Sequence, residues 1–302
     1  MTTRAVGAGA GIGWLKQAVN LGRNNPKAIF GGAALLLAVI LALGIGFGLA
    51  AVLLGGAMKN GSVAMVALFV FSGVAMVVMA ALIVGYLRLL DAVENGQPAS
   101  AADVFAGFSD MAVSGRAIGF ILLLAIAQNL LLALLISALA PGFGDWYLQN
   151  LQDSMAGVEA VPTIPTGFGA AMVIMWTIGL FGYAVQSIGL GQVALRNRGI
   201  GGALGDGVKG AAKNLLPLLV FLLVVVAAVV VLMLVVFLGA MLLGVVAKLL
   251  GGWVVALVGI PLYIAFILAM LVVMFGVMYF MWRDVCGDGT ALAASSDDRI
   301  EL

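Results

Sequence analysis

The sequence predicts an all-α polytopic membrane protein: six transmembrane helices forming three hairpin repeats, each preceded by a cytoplasmic amphipathic helix lying in the membrane interface. Three observations predict it: a composition that needs lipid as its solvent, six long apolar runs, and a one-sided distribution of lysine and arginine. Of the 302 residues, 64% are hydrophobic and 9% are charged, where soluble domains carry about 25% charge. The mean hydropathy is +1.24.

Spans of about 20 apolar residues cross a hydrocarbon core about 30 Å thick. Runs of that length or more occur at Ile29–Ala57, Val63–Leu90, Ile118–Ala140, Gly167–Leu195, Leu215–Ala247 and Trp253–Trp282. Several exceed the requirement, so these helices tilt, kink or extend beyond the headgroups. Pro261, inside the sixth run, is a candidate kink. Pro217 sits in the first turn of the fifth, where its missing N–H costs little.

Lysine and arginine near span ends are retained in the cytoplasm. In a six-span arrangement Arg4, Lys16, Arg23, Lys27, Arg88, Arg116, Arg196, Arg198, Lys209, Lys213, Arg283 and Arg299 fall on one side, and only Lys59 and Lys248 on the other. Both termini are therefore expected in the cytoplasm. The largest outer connection, 141–166, carries Asp145, Asp153 and Glu159 and no cation, and reads as a loop with Trp146 and Tyr147 at the membrane edge. Met1-Thr2-Thr3-Arg4 and the Ala/Gly-rich stretch after it lack a signal-peptide pattern, so targeting is expected to reside in the first span.

A unit recurs across about 14–96, 101–199 and 203–289: an amphipathic preface, a span leading outward, and a span returning to a charged, glycine-containing segment. The whole of 1–302 is read as one membrane domain, with 290–302 a disordered tail holding Asp297, Asp298, Arg299 and Glu301. At 100° per residue, Trp14, Leu15, Ala18, Val19 and Gly22 share one face of the first preface and Lys16, Asn20 and Arg23 the other. In the second, Val104, Phe105, Phe108, Met111 and Ala112 oppose Asp103 and Asp110. In the third, Leu204, Val208, Ala211 and Ala212 oppose Asp206, Lys209 and Lys213. Lys16, Arg23, Lys27, Lys209 and Lys213 are candidate contacts for anionic lipid heads. The alternative is that the prefaces simply cap the bundle.

Trp14 to Ile29 with its Asn25-Pro26 pair, the Gly85–Gly96 segment GYLRLLDAVENG, and Asp103-Val104-Phe105 followed by Phe108 resemble uncharacterised bacterial inner-membrane proteins related to the membrane domain of some glycerophosphodiester phosphodiesterases. The resemblance implies a multi-span helical module of the bacterial inner membrane. That family's soluble phosphodiesterase domain has no counterpart in these 302 residues, so its activity is not carried over.

Chemistry is sparse. The chain has no histidine, which removes imidazole ligands, histidine acid–base pairs and Ser-His triads. Its one cysteine, Cys286, is expected to be a reduced cytoplasmic thiol, with juxtamembrane palmitoylation the alternative. A formal net charge of +1 gives no basic surplus for nucleic acid. No ionisable residue sits near the middle of a span, where transporters driven by protons or sodium place them. The polar residues there, Gln128, Asn129, Gln186 and Ser187, are candidates for helix contacts or for lining a polar path. Gly44, Gly48, Gly189 and Gly191 are candidates for close helix packing. Gly7, Gly9, Gly11 and Gly13 read as a flexible lead-in, not a dinucleotide fingerprint. Asp91, Glu94, Asp103 and Asp110 could hold a divalent cation, although carboxylates in a connection are usually just solvated.

No catalytic set, cofactor or metal is implied. The expected function is that of a non-enzymatic membrane protein packing with lipids, with protein partners or with a second copy through its glycine-rich spans. The alternative is a channel or carrier for a small uncharged or amphiphilic solute.

Overall fold

A computed structural model describes residues 3–53, 61–155 and 164–287, and every regular element among them is helical. Lys59, Glu159 and the tail residues Asp297, Asp298, Arg299 and Glu301 lie outside the described residues. The chain forms α1 (Ala10–Asn20), α2 (Pro26–Leu53), α3 (Gly61–Glu94), α4 (Met111–Leu139), α5 (Pro141–Met155), α6 (Phe168–Arg196), α7 (Ile200–Lys213), α8 (Leu215–Leu250) and α9 (Ile260–Cys286). Six of these segments are long and apolar enough to cross a membrane: α2, α3, α4, α6, α8, and α9 together with the turn before it.

The returning helices α3, α6 and α9 pack against one another, and their burial is concentrated at the end that carries the charged connections, with Ala171 of α6 buried at the other end. Continuous burial sets in near Ala80, Gly182 and Val272 and runs to the charged end of each. Away from that end most large apolar side chains of the spans face outward, as with Leu49, Phe69, Leu130 and Leu234. Three tyrosines tie the packed end together. The Tyr86 hydroxyl donates to the Ile29 carbonyl at 3.1 Å, Tyr183 to the Met274 carbonyl at 3.0 Å, and Tyr279 to the Asp91 carboxylate at 3.0 Å.

The short segments at the charged end follow one contact rule. The 101–109 segment packs on α2 and α3, the hairpin before it; α7 packs on α6 and α4; and α1 packs on α8 and α9, the last hairpin in the chain. Glycine makes these approaches possible. A Cβ on Gly85 would stand 2.0 Å from the Val104 carbonyl oxygen, and one on Gly107 2.0 Å from that of Ala81. A Cβ on Gly276 would stand 2.9 Å from that of Ala18, and Gly207 faces the Val185 carbonyl in the same way.

Several expectations are corrected. The 141–166 connection is not a plain loop: α5 occupies most of it, started by Pro141, whose missing N–H is harmless in a first turn. Phe143 packs there with Ala140 and Ala171, and its ring lies 5.6 Å from that of Trp146. Pro261 lies inside the sixth span, directly after a local departure from α-helical winding. A π-helical turn at Val255–Gly259 runs without a break into α9, and Pro261 follows it as the second residue of the α-helical part. Gly11 and Gly13 belong to α1 rather than to a flexible lead-in, because Gly11 must lie against the Pro217 carbonyl and the Phe221 amide of α8.

Candidate functional site: the collar at the charged end

The prefaces have three sectors, not two faces. In α1 the buried stripe is Gly11, Trp14 and Ala18, while Val19 and Ile12 are exposed beside Lys16 and Asn20. The expected apolar face therefore merges a core stripe with a separate, exposed apolar flank. In α7 the buried stripe is Ala203, Asp206, Gly207, Gly210 and Ala211, so Asp206 turns inward and Val208 outward. The burial of Asp206 is compensated: its carboxylate accepts from the Gln192 amide at 3.1 Å and from Arg198 at 3.2 Å.

The second preface is not one amphipathic helix. A 3₁₀ stretch, Ala101–Phe105, runs into a single α-turn, Ala106–Ser109, and stops at Asp110, which N-caps α4 by accepting from the Val113 amide at 3.2 Å. Val104 and Gly107 are buried there, whereas Phe105, Phe108 and Met111 are exposed.

Basic residues in or just past the last turns of the returning spans join them to a preface. Arg88 donates to Asp110 at 2.8 Å and to the Ala194 carbonyl at 3.1 Å. Arg283 donates to Glu94 at 3.1 Å and to the Gln17 side chain at 2.5 Å, with its guanidinium 4.5 Å from the centre of the Phe280 ring. Trp14 donates its indole N–H to Asp284 at 2.9 Å. Arg198 joins Asp206, as above, and Arg116 donates to the Asn197 carbonyl at 3.0 Å. Hydrogen bonding from Arg88, reinforced by the Val113 amide, holds the Asp110 carboxyl below the usual carboxylate range.

The N-terminal strap is part of the collar. Arg4 donates its amide to the Val285 carbonyl at 3.0 Å, and Val6 donates its amide to the Asn214 side chain at 2.7 Å. Asn214 returns a bond to the Arg4 carbonyl at 3.0 Å, and Lys213 donates to the Thr3 carbonyl at 2.7 Å. Asn214 is a structural polar residue that sequence reasoning missed, and Asp206 was placed on the outer face; Gly207 beside it, which allows close approach to α6, was the available signal.

The predicted site residues do not converge. Gln128 lies over Gly182 on the seam between α4 and α6, and Gln186 occupies the same side of α6 one turn on. Asn129 is exposed and bonds its own helix at Ala125, while the buried Ser187 bonds back to the Tyr183 carbonyl. Gly189 lies under the Phe120 ring and Gly191 under Trp282, but Gly44 and Gly48 have nothing within 4 Å of a notional Cβ. Lys16, Arg23, Lys27, Lys209 and Lys213 are exposed around the collar.

The four carboxylates proposed for a cation have four separate partners: Asp91 has Tyr279, Glu94 has Arg283, Asp103 caps the Ser100 amide, and Asp110 has Arg88. Among the described residues no three acidic or cysteine side chains converge. Cys286 is a free thiol buried at the end of α9, a position that does not favour palmitoylation. A polar cleft of about 420 Å³ opens between the ends of α3 and α6, lined by Arg88, Asp91, Gln97, Asp110 and Asn197.

These features define an all-α polytopic membrane protein whose helices cohere at one end. No protein-family model, curated protein or solved structure matches the chain, and nothing in those comparisons links it to glycerophosphodiester phosphodiesterase membrane domains.

Proposed function

We propose that the chain is a non-enzymatic protein of the bacterial inner membrane that works by packing with lipids or partner helices, as a complex subunit, an assembly factor or a component of envelope maintenance. In this reading the charged collar is cytoplasmic, both termini lie on that side, and the three hairpins are repeats of one unit. The observation that carries the reading is the contrast along the spans. The collar end is closed by glycine contacts and ion pairs, while the same helices leave long apolar faces uncovered further along, Leu223 to Leu250 of α8 above all. Apolar surface of that extent marks contact with lipid or with another protein.

The test is isolation of the protein from native membranes in lipid-preserving discs, followed by mass spectrometry of lipid and protein together. Retention of particular lipids, a second polypeptide or a second copy is expected. A lone monomer without retained lipid, combined with a deletion strain whose envelope lipids and membrane complexes are unchanged, would overturn the reading.

A carrier for an uncharged or amphiphilic solute is the second reading, favoured by a crevice of about 380 Å³ between α6 and α8 lined by Met175, Trp176, Tyr183, Phe221 and Val225. Gln128, Asn129 and Gln186 are not among its walls. Flux into liposomes that survives their replacement by leucine would place such a path in the crevice; the absence of any flux would remove the reading.

A further inference from the structure

Helix α8 is the least embraced of the spans. Its main contacts are with α1, α6, α7 and the 255–259 turn rather than with the body of its own hairpin partner. Along the flank facing α4 and α6 this leaves a second crevice of about 400 Å³, walled by Leu131, Trp176, Phe181, Leu215, Leu219 and Leu222 among others. A helix about 10 Å across would fill that volume in roughly one 5.4 Å turn. The slot therefore suits a flexible chain, not a partner helix. It is within the range of ligand sites, about 300 to 1,000 Å³, and its walls are almost wholly apolar, with the Thr177 hydroxyl the exception.

Its charged end has a different chemistry. Leu215, a wall residue, follows Lys213 by two positions, and α7, which ends at Lys213, packs on α6 and α4, two of the helices that wall the slot. Lys209 and Lys213 are adjacent in angle on α7, next to the exposed flank of Val208 and Ala212. Among the described residues neither forms an ion pair, and the bond from Lys213 to the Thr3 carbonyl leaves its charge uncompensated. An apolar slot on the spans, entered beside a helix that carries two cations without an ion pair among the described residues, has the polarity of an amphiphile with an acyl tail and an anionic head.

We propose that the crevice between α4, α6 and α8 holds one acyl chain of an anionic phospholipid whose headgroup sits by Lys209 and Lys213. This rests on the lipid-packing reading above and gives it a site and a lipid class. Trp176 lines this crevice and the neighbouring one and is 57% exposed, so it reports acyl chains near both, and the slot-filling variants assign the signal to this one. The test reconstitutes the full chain in phosphatidylcholine vesicles and titrates phosphatidylglycerol brominated on its acyl chains, with the Trp176 signal taken as wild type minus Trp176→Phe.

Quenching should favour brominated phosphatidylglycerol over brominated phosphatidylcholine, and Lys209→Gln with Lys213→Gln should erase a preference worth about fivefold per lysine. Leu222→Trp, which fills the slot, should reduce retained phosphatidylglycerol severalfold by native mass spectrometry, and Leu238→Trp, further along the same helix, should not. Leu219→Phe is the milder filler if Leu222→Trp does not fold. Equal retention in the filled and control variants, or a preference unmoved by the lysine changes, overturns the site while leaving the general reading intact. A wild-type protein that retains no lipid overturns both.

Discussion

The two ends of the bundle share the same six spanning helices, yet they differ in how closely those helices are packed. At the charged end Gly85, Gly107, Gly207 and Gly276 each have a neighbour closer than a Cβ would tolerate; at the other end Gly44, Gly48, Gly239 and Gly244 have nothing within 4 Å. A glycine in these helices is thus a packing residue only where a neighbouring backbone or large side chain arrives. Without water to drive apolar faces together, cohesion inside a bilayer comes from close packing and hydrogen bonds. Both are concentrated in the collar, where Arg88, Arg283 and Asp206 also sit.

The largest expected effect follows from the glycine contrast. Gly85→Leu and Gly107→Leu each drive a side chain into a neighbouring backbone carbonyl, and overpacking of that kind costs about 1–3 kcal/mol or more. Both variants should lose the monodisperse peak of the solubilised protein or melt far below wild type, whereas Gly239→Leu should behave as wild type. Equal tolerance at both ends would break the comparison.

Next in size is Asp206→Ala. It strips the Gln192 amide and Arg198 of a shared acceptor at a buried position, and a buried donor left unsatisfied costs about 1–3 kcal/mol. Thermal melting should drop, with Asp206→Asn recovering part of the loss because an amide oxygen still accepts. A melting point unmoved by Asp206→Ala would mean that α7 is held by its glycine contacts alone.

Acid should loosen the same end by less. Asp110 has a lowered carboxyl pKa in the folded protein because Arg88 bonds to it, so its contribution is fully present above the unfolded value of about 3.9. It declines as pH falls from there through the folded value. The pair is about one-third exposed, with side-chain exposures of 32% and 37%, and solvent screening keeps the effect small. Melting should be level from pH 8 to 5 and fall below about pH 4, with Asp110→Asn removing part of that acid limb. An identical acid limb in the variant would assign the loss to other carboxylates.

The spans were legible because apolar length is a one-dimensional signal; each of the six apolar runs matches one of the six spanning helices, with ends shifted by a few residues at most positions. The prefaces were legible only in outline. A two-faced wheel assumes one apolar environment, but α1 and α7 meet two, the protein core and an uncovered flank, so Asp206 was assigned outward and Val208 inward. The Arg88–Asp110 and Trp14–Asp284 contacts join residues 22 and 270 positions apart, a pairing that no local pattern encodes. Which glycines would matter depended on the same missing information, the arrival of a second backbone.

The smallest expected effect is the sharpest probe of the uncovered end. Gly44→Ala with Gly48→Ala adds two methyl groups where nothing among the described residues would meet them, and alanine exceeds glycine in helix interiors by roughly 0.5–1 kcal/mol per residue. The solubilised monomer should therefore melt at or slightly above the wild-type temperature. Measured in lipid discs, the same variant separates two ways of covering this face. If lipid covers it, small methyl groups are absorbed and the mass of the particle is unchanged. If a second copy docks there, the close approach that glycine permits is lost and the dimer fraction falls. A variant destabilised even as a monomer would show that α2 has a partner within its own chain, and the contrast between the two ends would have to be redrawn.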